Sequence, residues 1–186
     1  ELDRLWEVLD RRSDHMTSYV FKFLILTGAR KGEALGATWD QLDLEKGVWT
    51  KPAHLTKQKK KEHLPLSEKA VEVLQIVKKR TPKGSVYVFP GRIEGEPLKE
   101  IKTFWKTTLK EAKLANIRIH DLRHTHASHL VSSGLSLSIV GKLLGHTQAS
   151  TTQRYAHLAD EPLRHAAELF GSKVGNKPPL KSMGEK

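Results

Sequence analysis

The apolar residues Leu2, Leu5, Trp6 and Leu9 recur at helical spacing, and a second apolar stripe from Tyr19 to Leu26 runs into Gly28, a stop signal, so the chain is predicted to open with two helices. After the Gly28-Ala29-Arg30 turn, Lys31 to Ala37 reads as a short helix. Between Leu42 and Leu66 the period changes. Gly47 turns, Val48-Trp49-Thr50 favours strand, and Leu64-Pro65-Leu66 ends another extended run, which predicts a small antiparallel sheet of two or three strands. Ser67 is placed to cap a helix through about Arg80; Val86 to Phe89 is extended ahead of Pro90-Gly91, and Leu98 to Leu114 is helical again. His120 to Ser132 forms the next helix, ended by Gly134, and shorter helices follow around Ile139 to Leu144 and Ser150 to His157. The last is Pro162 to Phe170, with proline in the first turn and Leu163, Ala166, Ala167 and Phe170 on one face. The pattern is that of a mostly helical α+β chain with one small antiparallel sheet.

Composition narrows what such a chain can be. A length of 186 residues, 38% hydrophobic and 28% charged, suits a single domain with one well-buried core, here residues 1–170. Beyond Gly171 the sequence is rich in Gly, Pro and Lys, and 171–186 is expected to be a flexible basic tail. The chain opens without Met inside a predicted helix, so it reads as a fragment whose upstream domain is absent. Lys and Arg outnumber Asp and Glu by 32 to 21, a formal net charge of +11, which points to a polyanion partner and first to nucleic acid. An acidic membrane is the rival, but no apolar run approaches the roughly 20 residues a spanning helix needs, and no signal-peptide pattern opens the chain. The absence of Cys rules out disulfides and thiolate metal sites and fits a reducing compartment.

The chemistry concentrates in HDLRHTHASHL, from His120 to Leu130, which packs four histidines and an arginine into eleven residues. His120 and His124 stand four apart with Asp121 beside the first, near the HExxH zinc pattern. Asp is a methylene shorter than the Glu that serves as base there, no third ligand is evident, and Arg123 one turn from His120 would set a fixed cation beside the metal. No metal is therefore expected. A phosphate suits the same residues, because His120 and Arg123 at i and i+3 share a helix face, and arginine offers a planar, permanently charged fork for two phosphoryl oxygens.

Three further stretches carry the reading. Thr27-Gly28-Ala29-Arg30-Lys31-Gly32-Glu33-Ala34-Leu35 resembles the turn that presents the first catalytic arginine of tyrosine recombinases, the phage-integrase-like site-specific recombinases. His120-Asp121-Leu122-Arg123-His124-Thr125 resembles their HxxR box, Leu143-Leu144-Gly145-His146 the box with the next histidine, and Thr151-Thr152-Gln153-Arg154-Tyr155-Ala156-His157 the segment with the nucleophilic tyrosine. The order and the nine-residue step from His146 to Tyr155 both match, and the likeness runs from about Leu2 to Phe170. A fifth stretch, Thr56 to Leu66, resembles the family's lysine-bearing β-turn ahead of a Pro-Leu strand end. Lys57 is the favoured lysine there and Lys59 the alternative, because a one-register slip in a Lys-rich turn is invisible in sequence. Lys60 and Lys61 read as solvated charge.

The resemblance implies the fold of a DNA breaking-rejoining enzyme's catalytic domain, in which a tyrosine attacks a DNA phosphodiester to leave a 3′-phosphotyrosyl bond and a free 5′-hydroxyl. Tyr155 would be the nucleophile, with His120 as a nearby acceptor for its proton. Arg30, Arg123 and His146 would bind the non-bridging oxygens in place of metal ions, and Lys57 would protonate the departing 5′-oxygen. Glu33 would orient the Arg30 turn and His124 would brace the site, while His126 and His129 are expected to be packing or surface residues. No cofactor, metal or nucleotide is implied. Double-stranded DNA is the implied partner, with a cyclic tetramer on DNA linked through the Pro162 to Phe170 helix, host or phage accessory proteins, and a bacterial cytoplasmic setting. Two alternatives remain open: a type IB topoisomerase-like enzyme, against which the short His146 to Tyr155 spacing speaks, and a catalytically silent DNA-binding relative, against which every catalytic position being filled speaks.

Overall fold

The helix α2 (Met16–Thr27) is apolar on nearly every side, and it forms the axis of the fold in the computed structural model, which describes residues 1–53, 61–146 and 148–173. A helix without a polar face has to be surrounded. Around it pack α1 (Leu2–Arg11), α4 (Glu68–Arg80) and α6 (Asp121–Ser132). Its ring Phe21 stacks on Trp105 of α5 (Lys102–Glu111) at 4.6 Å between centroids, and Phe23 meets Trp49 at 5.2 Å and Phe89 at 5.8 Å. Aromatic pairs at these separations add about 0.5–1.5 kcal/mol each beyond their buried area. The one charged residue buried in α2, Lys22, is neutralised by Asp10 at 2.6 Å.

The predicted sheet has three antiparallel strands, β1 (Leu42–Asp43), β2 (Val48–Lys51) and β3 (Glu62–Pro65), in that order, with Trp49 opposite Leu64 and Lys51 opposite Glu62. Ser67 caps α4 as its sequence position implies, its hydroxyl accepting from the Ala70 amide. α5 is shorter than the apolar pattern from Leu98 to Leu114. The Glu100 carboxylate accepts from the Lys102 amide at its start, and Lys113, at φ 53°, turns the chain out of the helix at its end.

The final third holds α7 (Leu137–Leu144), α8 (Ala149–Gln153) and α9 (Asp160–Lys173). The single helix expected from Ser150 to His157 is divided: α8 stops at Gln153, and a 3-10 turn follows at Ala156–Ala159. Tyr155 sits at the break, its amide bonded to the Thr152 carbonyl and its carbonyl to the Leu158 amide. α9 starts ahead of Pro162 and continues past Phe170 to Lys173, so the first residues of the expected flexible tail are helical, and 174–186 lie outside the described residues. None of its residues is buried.

Two apolar clusters result among the described residues. The larger gathers around α2, and the smaller joins Ala127, Val131, Val140, Leu144 and Tyr155. α6 belongs to both, with Leu122 in the first and Ala127 and Val131 in the second. Arg123, which follows Leu122 on this helix, stands at the seam.

Candidate active site

Arg30 is held by a carboxylate. It is the N-cap of α3 (Lys31–Leu35), and Glu33 in the first turn accepts from the Arg30 amide at 3.2 Å and from its guanidinium Nη1 at 2.7 Å. The other cation on that carboxylate is Lys51, whose Nζ donates to Glu33 Oε2 at 2.7 Å. Lys51 is 3% exposed and its ammonium lies 4.7 Å from the Trp49 ring centre. Burial is the largest single influence on Glu33 and pushes its pKa up, but Lys51 and Arg30 together outweigh it and hold the carboxyl below its ordinary range. Glu33 is therefore ionised and fixes Arg30 at the α2–α3 turn.

Arg123 ties two helix ends together. Its Nη1 donates to the Gly28 carbonyl at 2.7 Å and its Nη2 to the Leu144 carbonyl. Gly28 ends α2 and Gly145 ends α7, both left-handed at φ 60° and 64°. That conformation is natural to glycine. A Cβ at Gly28 would lie 2.7 Å from the His126 ring and 2.8 Å from a Leu144 methyl, so the two helix ends approach as closely as they do because no side chain intervenes. The C-terminal carbonyls of both helices carry partial negative charge toward the guanidinium. Two of the five N–H donors of Arg123 are spent on them. Burial, then the nearby charge of Arg30, push the Arg123 pKa down to about 10, which still leaves it charged at neutral pH.

The turn Leu144-Gly145-His146 collects the cations. Arg123 binds the Leu144 carbonyl, Arg30 Nη2 reaches the Gly145 carbonyl at 3.5 Å, and His146 follows directly. His146 Nδ1 is 2.8 Å from the Thr152 hydroxyl of α8, which fixes the ring. Burial first, and then the charges of Arg123, Arg30 and Arg154, lower the His146 pKa to about 4. In the free protein this imidazole is neutral, because it is buried and its surroundings are already positive. An anion entering among Arg30, Arg123 and His146 would relieve that repulsion.

Tyr155 is 6% exposed and packs in the second apolar cluster. Its hydroxyl is 2.6 Å from His124 Nδ1. The His120 ring lies one turn back, edge-on to His124 with centroids 4.8 Å apart. Burial raises the Tyr155 pKa against the lowering pull of Arg154 and Arg123. His124 and Tyr155 also line a cleft of about 520 Å³ together with Asp121, Ser128, Arg154 and His157.

The residues singled out in the sequence thus fall in one region. Arg30, Arg123 and His146 surround one turn, His120 feels the charges of Arg123 and Arg30, and Tyr155 is joined to the same helix through His124. The imidazole on the phenol is that of His124, whereas the sequence suggested His120. Lys57 and its alternative Lys59 lie outside the described residues. The residues on either side of them do reach the site: Lys51 on Glu33, and Glu62, whose carboxylate Oε2 would sit 2.7 Å from a Cβ placed on Gly145. His126 is a packing residue, its Nδ1 bonded to the Ile25 carbonyl at 3.0 Å. Asp121, the would-be partner of a zinc pair, is committed to Arg118, which donates to it from Nη2 at 2.9 Å and from its own amide at 2.8 Å. Among the described residues no three His, Cys, Asp or Glu side chains gather as a metal-binding group.

Three contributors escaped the sequence: Lys51, Glu62 and Thr152. The signal for Lys51 was the period of two in β2, which puts it on the same inward face as Trp49. For Thr152 there was none along the chain, because its bond to His146 depends on how α8 packs on α7.

Comparison with known proteins bears on the family and the fold. The model of the phage integrase family matches residues 1–162. The integrase of Salmonella phage P22 is 31% identical over 177 residues, covering 84% of this chain and 44% of its own length. Tyrosine recombinase XerD of Haemophilus influenzae is 33% identical over 162 residues, covering 81% of this chain and 53% of its own. The chain thus spans about half the length of these curated relatives. Among solved structures, the Tn1549 transposon integrase in complex with transposon right end DNA superposes with a TM-score of 0.74 at 18% identity, over 92% of this chain and 64% of that one. The catalytic domain of bacteriophage HP1 integrase does so with a TM-score of 0.59 at 24% identity, over 86% of this chain and 85% of that one. Among the described residues no helix is long and apolar enough to cross a membrane. The chain belongs to the phage integrase family, the tyrosine recombinases.

Proposed function

We propose that this chain is the catalytic domain of a site-specific DNA recombinase or integrase, which cuts and rejoins DNA through a 3′-phosphotyrosyl intermediate without metal, cofactor or nucleotide. One observation carries the reading: Arg30, Arg123 and His146 gather around the single turn Leu144-Gly145-His146, a few residues before a tyrosine whose hydroxyl is hydrogen-bonded to His124, the neighbour of Arg123. Cations forced together in a protein need an anion, and a phosphodiester is the anion a chain of net charge +11 meets on DNA. Arg30, Arg123, His146 and His120 bind the phosphoryl oxygens as negative charge builds on them, and Tyr155 attacks phosphorus. Lys57, or Lys59, protonates the departing 5′-oxygen. Glu33 keeps Arg30 in place, and His124 stands on the nucleophile. Bond energy is conserved because one phosphodiester becomes a phosphotyrosine and then another phosphodiester.

Residues 1–170 form this domain, with the basic segment 171–186 behind it and a separate DNA-gripping domain ahead of it in the whole protein. α9 presents Leu163 and Phe170, 64% and 71% exposed, which suits docking on a neighbouring copy in a tetramer on DNA. Host or phage accessory proteins are further partners, and the setting is the bacterial cytoplasm.

The test uses a nicked duplex built on a site selected by binding from random sequences, so that cleavage releases a short end and traps the covalent product. A protein–DNA adduct is expected on a denaturing gel for the natural chain, unchanged in EDTA and missing from Tyr155→Phe. An adduct that survives Tyr155→Phe, or one abolished by EDTA, contradicts the reading.

A further inference from the structure

Of the imidazoles near the nucleophile, one touches its reacting atom. His124 Nδ1 lies 2.6 Å from the Tyr155 hydroxyl, a strong hydrogen bond by length, and no other bond to that hydroxyl is recorded among the described residues. From this contact we infer that His124 is a catalytic residue: it accepts the Tyr155 proton at Nδ1 as the phenol attacks DNA. The inference rests on the recombinase reading and assigns a step within it.

The step balances. In the tautomer with its own hydrogen on Nε2, the neutral ring offers a lone pair at Nδ1 and the phenol donates to it. As the Tyr155 oxygen bonds to phosphorus, its proton passes to Nδ1, the phosphorus–5′-oxygen bond breaks, and the 5′-oxygen takes a proton from the general acid of the recombinase reading, Lys57 or Lys59. The imidazolium that forms is not isolated: Asp121 stands one turn back on the same helix. His120 edge-on, Arg118 ahead of the helix and Arg154 at the end of α8 oppose it. Burial, then His120 and Arg154, keep the free ring's pKa below its ordinary value, so it is unprotonated and ready at neutral pH. A base of that kind is needed here, because burial raises the phenol's own pKa and little phenolate exists without it. His120 is placed differently. Its ring faces His124, and its charge environment is set first by burial and then by Arg123, which suits the phosphate side of the site.

The decisive comparison is His124→Asn against His120→Asn, each in the whole chain on the same nicked duplex. An Asn side-chain oxygen occupies nearly the place of Nδ1 and still accepts the phenol's hydrogen bond, but it takes no proton at these pH values. If His124 is the acceptor, His124→Asn slows adduct formation by about a hundredfold or more. It also removes the acid-side fall of the rate–pH profile, which His120→Asn retains. Free imidazole partly restores the rate of His124→Gly. A merely positioning His124 is indicated by His124→Asn keeping a near-natural rate and the same acid limb, and either result overturns the inference. A natural chain that forms no adduct overturns the recombinase reading itself, a result separable from loss confined to the His124 variants. Nitrogen-15 histidine spectra of the free chain add a readout independent of DNA: Nδ1 of His124 is unprotonated and shifts in Tyr155→Phe. A protonated Nδ1 contradicts the tautomer on which the step depends.

Discussion

Glu33 binds two cations with one carboxylate, and only one of them faces the reaction. The Lys51 side chain is 4% exposed, so removing the negative charge beside it leaves a buried ammonium without a counter-ion, a change that typically costs about 3–5 kcal/mol. Glu33→Gln is therefore expected to lower the urea midpoint strongly. Glu33→Gln combined with Lys51→Met should recover most of that stability while adduct formation stays slow, because Arg30 has lost its anchor. If the double variant regains both, the carboxylate serves the fold alone. Its pH signature has a definite sign. Glu33 is held below its ordinary pKa in the folded chain, so its contribution is complete above the unfolded value of about 4.5 and is lost as the pH falls through the lower folded value. The residues proposed to bind phosphate were legible in the sequence because that chemistry demands particular residue types in a particular order. Lys51 was not, since a lysine in a short strand ordinarily reads as solvent-facing. The His124–Tyr155 pairing was not either, since it depends on α8 ending two residues before the tyrosine.

Elements, rather than residues, set where His146 points. Its ring is fixed by the hydroxyl of Thr152 on α8, and α8 packs against α7 at Gly141, where an added Cβ would lie 2.9 Å from that hydroxyl oxygen. Gly141→Ala should favour the helix by up to about 1 kcal/mol on propensity alone. It should nonetheless push α8 away and release His146. Cleavage is expected to fall by about tenfold or more with the circular dichroism spectrum unchanged, and unaltered cleavage would show that the two helices need not approach so closely. α1 and α4 could be read from their regular apolar period, α2 from its apolar run and α6 from the glycine that follows it, and so could the caps at Ser67 and Gly28. The ends of α5 were hidden, because Glu100 and Lys113 decide them by local backbone bonds and a left-handed residue rather than by hydrophobic pattern. The split after Gln153 was hidden for the same reason.

At the scale of the whole molecule, the site exists because α6 is shared by two apolar clusters and Arg123 bridges the ends of α2 and α7 between them. Pattern along the chain cannot reveal that seam, since Gly28, Arg123 and Leu144 are distant in sequence and meet only when both clusters have formed. The same architecture brings the Arg30 turn and the Tyr155 segment to the same end of α6, the first through Arg123 and the second through His124. Everything proposed for catalysis follows from that meeting, and the bond it should make has a known chemistry and a single location. The most direct measurement is to trap the protein on a nicked duplex, digest the DNA to its last nucleotide, and locate the residue that carries it by mass spectrometry. A nucleotide joined through its 3′-phosphate to the Tyr155 peptide, with a 5′-hydroxyl on the released strand, is the predicted result; attachment at another residue, or through a 5′-phosphate, would contradict the account.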